Sequence, residues 1–320
     1  MKPIKPITYT IRLALAFDYT YTEFNCTVLF HRDWRSESNP FLGIFNMVFY
    51  YIVILAIIQG LTEFLPVSSS GHLGLFHCFT DHCDQWDAEN LTMDIAVHVG
   101  TLFSVLLYFR KDVYKMILGG VDILTRKGLT PNAKLALFVV TSSIPVILFG
   151  LALHALEPDW LKTLYVIAWA TVIFGIILWY ADEKFSDNKT VENLTLKDAV
   201  VIGCAQMLAL IPGTSRSGIT MTAARFLGFS RTESAHYSLL LSIVAISGAG
   251  ALMSIDVIKA DDFSLGFDAL IAVILSFVSG LIAIAAMMKF LEKSSFRVFA
   301  IYRILLGSLL LGLLYGGYIG

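Results

Sequence analysis

Two short polar stretches interrupt long apolar runs, and their side chains could handle phosphate. The first contains Gln59, Glu63 and Ser69, and the second contains Ser215 and Arg216. Residues four apart share one face of a helix, so Glu63 could bind a hard divalent cation beside Gln59, or act as a general base. An arginine presents a planar fork that suits phosphate oxygens. These residue types favour phosphoryl transfer, in which positioning and charge neutralisation do most of the work.

The other polar residues of the two stretches supply hydroxyl groups and an imidazole. They are Ser68, Ser70, His72, Ser217 and Thr220. Both turns lead into a short helix, where exposed backbone amides can bind an anion, although the serines could equally be helix caps. His72 could act as a base, an acid or a nucleophile. The sequence leaves the attacking group open between Ser69, His72 and water.

Several of these residues also have a purely structural interpretation. Gln59 could form a hydrogen bond between helices, and Arg216 could pair with Glu63 in a buried ion pair. Arg303 could pair with a carboxylate or reach the substrate phosphate, and we favour the pairing. His98 could line the pocket, but we expect it to be a packing residue within a helix.

The composition indicates the environment in which these residues must be positioned. Of 320 residues, 57% are hydrophobic and only 15% are charged, and the mean hydropathy is +0.73. Soluble domains carry about 25% charged residues, so this chain cannot coat a water-facing surface. The net charge of −2 provides no basic field that would bind nucleic acid. The sequence therefore predicts an all-α polytopic membrane protein.

Six apolar stretches are long enough to cross a bilayer, which needs about 20 residues. They are 93–109, 133–153, 163–181, 236–255, 267–288 and 298–319. Two further stretches, 48–80 and 199–228, are cut near the middle by Pro, Gly and Ser. Each half is too short to span, so we predict two re-entrant helical hairpins.

Basic residues set the orientation of these segments. Lys and Arg concentrate in 110–134, 182–198, 229–235 and 289–297, which predicts that these connections are cytoplasmic. The acidic connections 81–92, 154–162 and 256–266 are then external. The chain threads through these sides as an inverted-topology repeat, with repeat 1 at about 47–181 and repeat 2 at about 199–320.

Residue matches at one spacing support this repeat. Gln59 and Gln206 are 147 residues apart, and so are the pairs Leu61 and Leu208, Ser70 and Ser217, and Gly71 and Gly218. The repeat predicts that the two polar breaks meet near the bilayer midplane and build one pocket. Residues 1–46 lie outside this pattern, and we expect either a translation start at Met47 or a poorly ordered tail. Residues 47–320 are predicted to form a single integral membrane domain.

The segments QGLTEFLPVSSSGH (59–72) and PGTSRSG (212–218) resemble the two signature motifs of the undecaprenyl-diphosphate phosphatase family, the bacitracin-resistance type. The likeness covers about residues 47–320 and includes FAIYR (299–303). It implies hydrolysis of a polyprenyl diphosphate lipid to the monophosphate carrier that is used for cell-wall (peptidoglycan) synthesis, and resistance to bacitracin. It also implies a requirement for Mg²⁺ or Ca²⁺, and a cell-membrane location with the active site open to the external, periplasmic face. A homodimer is left open.

The same resemblance implies roles for individual residues. The glutamate-rich motif falls on Gln59 and Glu63, which are the implied metal ligands; Gln59 stands where many members have Glu. Glu63, Ser69, His72 and Arg216 are the implied catalytic residues. Hydroxyl groups that would bind the substrate are those of Ser68, Ser70, Ser215, Ser217 and Thr220.

A secondary transporter or lipid flippase is the main alternative function. Inverted repeats with broken helices are common in transporters, and a fold does not fix a function. The set of Ser, His, Glu and Arg exceeds what binding alone requires, so we favour the enzyme.

Overall fold

The computed structural model describes residues 9–13, 22–26, 40–79, 88–156, 161, 163–185, 188–259 and 267–317. Within these residues the chain forms eleven α-helices and one pair of short strands. The helices are α1 (Pro40–Thr62), α2 (Ser69–Phe79), α3 (Ala88–Tyr108), α4 (Arg110–Leu124), α5 (Pro131–Leu156), α6 (Leu164–Lys184), α7 (Leu196–Gln206), α8 (Arg216–Phe226), α9 (Arg231–Lys259), α10 (Phe267–Leu291) and α11 (Arg297–Tyr315).

The chain divides into two compact units, Met1–Asn46 and Met47–Gly320. In the first unit, strand β1 (Tyr9–Leu13) pairs antiparallel with β2 (Thr22–Cys26), with Tyr9 opposite Cys26. The all-α prediction did not include this strand pair. The proposals for residues 1–46 remain predictions.

Helices that could cross a membrane account for most of the second unit. Among the described residues, α5, α6, α9, α10 and α11 are long and apolar enough, and the bent pair α3 and α4 makes up to six spans if it counts as one. Each of the six predicted stretches coincides with one of these helices. The prediction of a helical, multi-pass membrane protein is therefore confirmed at this level.

Helix α4 was missed by the sequence analysis, which predicted only a basic connection after Arg110. Phe109 separates α3 from α4, and the two helix axes are bent by 85°. The apolar residues Tyr114, Ile117 and Val121 of α4 are exposed and alternate with charged residues. A short amphipathic helix of this kind fails a test for long apolar runs.

The distribution of side chains is the reverse of that in a soluble protein. Large apolar residues such as Leu148 and Leu309 are about 60% exposed, whereas Gln59, Ser104 and Arg303 are fully buried. Exposed apolar surface on this scale fits contact with lipid rather than water. Several buried hydroxyl groups donate to backbone carbonyls, as Ser104 does to Phe277 at 2.7 Å.

Close backbone approaches hold the interrupted segments against the long helices. A Cβ at Gly60 would lie 2.8 Å from the backbone nitrogen of Gly280 in α10, and a Cβ at Gly203 would lie 2.6 Å from the carbonyl oxygen of Ser142 in α5. Any larger residue would force these helices apart. As a result α1 packs on α10, and α7 packs on α5.

Both interrupted segments contain a short non-helical break. We call residues 63–68, between α1 and α2, the first break. In the second segment a 3-10 turn (Met207–Leu210) follows α7, and residues 211–215 form the second break before α8. The backbone at Ser68 has φ of 74° and that at Ser215 has φ of 71°. These serines are also 147 residues apart, and each immediately precedes the first residue of a helix.

Candidate functional site

The Glu63 carboxylate is the centre of a polar cluster in which the two breaks meet. Its Oε1 accepts a hydrogen bond from Nη2 of Arg216 at 2.9 Å. Its Oε2 accepts hydrogen bonds from Oγ of Ser69 at 2.7 Å and from Nε2 of Gln59 at 3.1 Å. Residues 153 positions apart therefore form one ion pair, and a serine hydroxyl is attached to the same carboxylate.

Arg216 is held at the first residue of α8 by contacts to a third helix. Its Nη1 donates to the carbonyl oxygen of Ser238 in α9 at 3.2 Å. The Ser238 hydroxyl bonds in turn to Thr220 Oγ1 at 2.7 Å. The side chain of Arg216 is 13% exposed, so the guanidinium is fixed on one side and remains accessible on another.

The two serines with positive φ cap the short helices that follow the breaks. Oγ of Ser215 accepts from the backbone N–H of Gly218 at 3.1 Å, and Oγ of Ser68 accepts from that of Gly71 at 3.4 Å. A non-glycine residue with positive φ is strained, so the surrounding structure must hold both turns. The capped helix ends leave other backbone N–H groups free to bind an anion.

Ser69 and Arg216 occupy equivalent positions in the two breaks. Each is the first residue of its helix, each follows a strained serine cap, and they are 147 residues apart. Both side chains reach Glu63, one at each carboxylate oxygen. The equivalent of Glu63 itself is Leu210, so only the first break provides a carboxylate.

A cavity of about 550 Å³ opens beside this cluster. Its polar end is lined by Glu63, Ser69, Ser70, His98 and Arg216, together with both serine caps. The rest of its wall is apolar and comes from α5, the 3-10 turn and α9. The apolar lining includes Val146, Ile147, Leu151, Leu210, Val244, Leu252 and Ile255. A ligand that carries an anionic head and a hydrocarbon tail fits this division.

Comparison with known proteins identifies the family. The family described as bacitracin resistance protein BacA matches residues 52–309. The chain belongs to this family. It is 43% identical to an undecaprenyl-diphosphatase of Ruegeria pomeroyi over 270 residues, which are 84% of this chain and 100% of that protein. It is 44% identical to an undecaprenyl-diphosphatase of Roseobacter denitrificans over 83% of this chain and 98% of that protein.

His72 does not lie with the other predicted catalytic residues of this BacA family member. Its Nδ1 bonds to the carbonyl oxygen of Ser68 at 2.7 Å, and its Nε2 bonds to the hydroxyl of Tyr302 in α11 at 2.6 Å. Both ring nitrogens are thus engaged, and His72 is not among the residues that line the cavity. Its contacts suit a role in holding the first serine cap.

The predicted phosphate-binding hydroxyl groups separate into two sets. Those of Ser68, Ser70 and Ser215 line the cavity. Ser217 instead donates to the carbonyl oxygen of Leu65 at 2.9 Å, which joins the two breaks. Thr220, only 1% exposed, bonds within α8 and to α9. These last two residues build the frame of the site and do not face the cavity.

His98 of α3 belongs to the site, although the sequence favoured the other of its two expected roles. Its Nε2 lies 4.0 Å from Oε2 of Glu63, and its Nδ1 bonds to the carbonyl oxygen of Asp94 at 2.6 Å. We expected a packing residue, but His98 lines the cavity. An ionisable residue within a predicted span was the available signal.

The residues around Glu63 fit a divalent cation only in part. Within the described residues, no group of three or more His, Cys, Asp and Glu side chains could hold a metal ion. However, Oε1 of the buried Gln59 has no hydrogen-bond partner there, and the same side chain contacts Glu63. Magnesium sites often use one or two protein oxygens and complete the shell with substrate phosphates and water. Of these two residues, Glu63 lines the cavity, whereas Gln59 is fully buried behind it and has one unpartnered oxygen to offer.

Proposed function

We propose that this protein hydrolyses undecaprenyl diphosphate to undecaprenyl phosphate and inorganic phosphate. This reaction would recycle the lipid carrier for cell-wall synthesis and confer resistance to bacitracin. The observation that carries the proposal is the joint contact of Ser69 and Arg216 with the Glu63 carboxylate, at 2.7 and 2.9 Å, at the polar end of a mainly apolar cavity. The relatives named undecaprenyl-diphosphatase support the substrate.

In the proposed reaction, Ser69 is the nucleophile. Its hydroxyl already donates to Glu63, so the carboxylate is positioned to take the proton as Oγ attacks the distal phosphorus. The bond from that phosphorus to the bridging oxygen breaks, and the prenyl monophosphate leaves. Water then releases phosphate from Ser69, and the proton on Glu63 returns to the serine oxygen.

Arg216 and the backbone amides after the serine caps would stabilise charge on the transferred phosphoryl group. A guanidinium can bind two phosphoryl oxygens at once, and fixed donors avoid reorganisation during the reaction. The ion pair with Glu63 holds Arg216 in place before substrate binds. The structural pairing considered from the sequence is thus compatible with a catalytic role.

A divalent cation, Mg²⁺ or Ca²⁺, would be held by Glu63 and Gln59 together with oxygens of the diphosphate. When bound, such a cation neutralises phosphoryl charge and helps to orient the leaving group. The unpartnered Oε1 of Gln59 supports this assignment. The frame residues Ser217 and Thr220 would act by keeping the breaks together rather than by binding phosphate.

The proposed architecture is six spans with two re-entrant hairpins in an inverted repeat, formed by residues 47–320. The shared offset of 147 residues, the matched serine caps and the two close approaches at Gly60 and Gly203 support it. By the distribution of basic residues, the cavity would open to the external face of the cell membrane. The prenyl chain would leave the cavity between α5 and α9, where the wall is apolar.

Phosphate release by the purified full-length protein in detergent tests this proposal. We expect release from undecaprenyl diphosphate with Mg²⁺ or Ca²⁺, and loss of release on addition of a chelator. Glu63→Gln is the matched inactive control. A folded wild-type protein that binds the lipid without releasing phosphate would contradict the proposal, and solute counterflow in liposomes would then favour a transporter.

A further inference from the structure

Arg303 of α11 is a completely buried charged residue, and its side chain contacts both breaks. Its Nη2 donates to the carbonyl oxygens of Gly213 at 2.9 Å and Thr214 at 2.8 Å in the second break. Its Nη1 lies 3.5 Å from the carbonyl oxygen of Pro66 in the first break. Its Nε donates to the carbonyl oxygen of Thr171 in α6 at 3.3 Å.

This guanidinium has an unusual set of partners. Within the described residues, no carboxylate pairs with it, so backbone carbonyl dipoles alone compensate its charge. The expectation that we favoured from the sequence, a carboxylate partner, is therefore wrong, and Arg303 is not among the residues that line the cavity. A buried charge is costly, and its retention at this point calls for a role that neutral residues cannot fill.

The carbonyl groups that Arg303 binds are equivalent in the two halves of the chain. Pro66 and Gly213 are 147 residues apart. Each lies three residues before a side chain that reaches Glu63, namely Ser69 after Pro66 and Arg216 after Gly213. One side chain therefore fixes the start of both turns that present the reacting groups.

The neighbouring residue of α11 supports the first break by a second route. The Tyr302 hydroxyl bonds to Nε2 of His72, and Nδ1 of His72 bonds to the carbonyl oxygen of Ser68. Ser68 is the strained cap that precedes Ser69. Adjacent residues of α11 thus hold the carbonyls of positions 66 and 68.

We infer that Arg303 is a positioning residue, which holds the two breaks at the separation where Ser69 and Arg216 converge on Glu63. Tyr302 adds a smaller contribution through His72. The inference rests on the proposed phosphatase function. Only a guanidinium offers five donors in a rigid fork, so a lysine at 303 could satisfy one or two of the carbonyls but could not span both breaks.

Packing explains why the geometry tolerates little movement. A Cβ at Gly218 would lie 2.7 Å from Nη1 of Arg303, so the guanidinium is in close contact with the first turn of α8. A shift of the guanidinium therefore moves the helix that carries Arg216. Misplacement of reacting groups by about 1 Å can reduce a rate about 100-fold.

Arg303→Lys is the direct test, and Arg225→Lys is its matched control. Arg225 of α8 is also buried and also donates to backbone carbonyls, at Phe185 and Phe229. It differs in that its Nε lies 3.4 Å from Oδ1 of Asp182 and in that it contacts neither break. We expect Arg303→Lys to lower kcat by about 100-fold per folded molecule with little change in KM. Arg225→Lys should lower the thermal midpoint and keep kcat within about threefold, which is the size of a minor packing change.

The comparison of the two variants decides the inference. Equal kcat values for Arg303→Lys and Arg225→Lys, both normalised to folded protein, would overturn it, because Arg303 would then only stabilise the fold. If Arg303→Lys yields no folded protein, Tyr302→Phe decides, since it should lower kcat several-fold at an unchanged thermal midpoint; full kcat would overturn the inference. An inactive wild-type protein in the same assay would instead refute the proposed function.

Discussion

The two breaks share one backbone design and differ in chemistry. Both have a buried glutamine in the preceding helix, a serine cap with positive φ, and a second serine bonded to the cap. At the position after the cap, however, the first break has Ser69 and the second has Arg216. Four residues after the glutamine, the first half has Glu63 and the second has Leu210. The backbone of the two breaks is therefore alike, while the residues at the reactive positions differ.

This difference indicates how two breaks with similar backbones can make an asymmetric site. Two copies of the first half would supply two serines and two carboxylates but no arginine, and two copies of the second would supply two arginines but no carboxylate. Because they differ, one half supplies the nucleophile and the base, and the other supplies the positive charge that the phosphoryl group needs. The predictions below test that division of roles, from the largest expected effect to the smallest.

Removal of the proposed nucleophile should have the largest effect. We expect Ser69→Ala to lower kcat by about 10,000-fold or more, as loss of a nucleophile does in other hydrolases. Ser70→Ala is the control in the same cavity and loses a neutral hydrogen bond to Ser68, which is worth at most about tenfold. Rates are measured by phosphate release. Near-normal turnover of Ser69→Ala would assign the attack to water or to His72.

Glu63→Gln and Leu210→Gln compare the same change at equivalent positions. The first removes the proposed base and the partner of Arg216, so we expect kcat to fall about 100- to 10,000-fold. The second places an amide in the apolar wall of the cavity and should cost less than about tenfold. Similar losses in the two variants would contradict the assignment of all carboxylate chemistry to the first break.

Part of this site could be predicted from the sequence, and part could not. The breaks, their offset of 147 residues and the meeting of Glu63 with Arg216 followed from apolar run lengths, basic residues and repeated motifs. The side-chain directions of His72 and His98 did not. His72 bonds to a hydroxyl 230 residues away in α11, a contact that leaves no local pattern. For His98 the sequence shows an ionisable residue in an apolar span, but not that its side chain comes within 4.0 Å of Glu63.

The preference of the enzyme for long prenyl chains should change on substitution of one of two nearby glycines in α9, but not of the other. Gly248 lines the main cavity, whereas Gly250 lines a neighbouring one of about 230 Å³ between α3 and α9. A Cβ at either position would meet no atom within 4 Å. We expect Gly248→Leu to lower kcat/KM for undecaprenyl diphosphate about tenfold, because it obstructs the tail, and to spare farnesyl diphosphate.

Gly250→Leu is the control for this prediction, since it fills the neighbouring cavity with the same side chain. It should leave both substrates unaffected. If both leucine variants discriminate against the long chain equally, the tail does not follow the wall between α5 and α9. Competition between the two substrates in one reaction gives the ratio of kcat/KM values directly.

The smallest effects should appear at the serine caps, where the two breaks are most alike. Ser68→Ala and Ser215→Ala each remove a cap and keep an unfavourable φ, so each should destabilise the protein by about 1 kcal/mol. The corresponding glycine variants should lose only a few tenths of a kcal/mol, because glycine accepts positive φ. Thermal unfolding in detergent gives the relative stabilities of these four variants. An alanine variant as stable as its glycine counterpart would argue against strain at that cap.

The central claim is that the two breaks form a single catalytic site, and a double-mutant cycle on Glu63 and Arg216 tests it most directly. Phosphate release is measured for the wild type, Glu63→Gln, Arg216→Lys and the double variant. The effects of substitutions at groups that act together are not additive. We therefore expect the kcat of the double variant to be at most about threefold lower than that of the less active single variant. Losses that multiply would mean that the carboxylate and the guanidinium act independently, and the account of one shared site would be wrong.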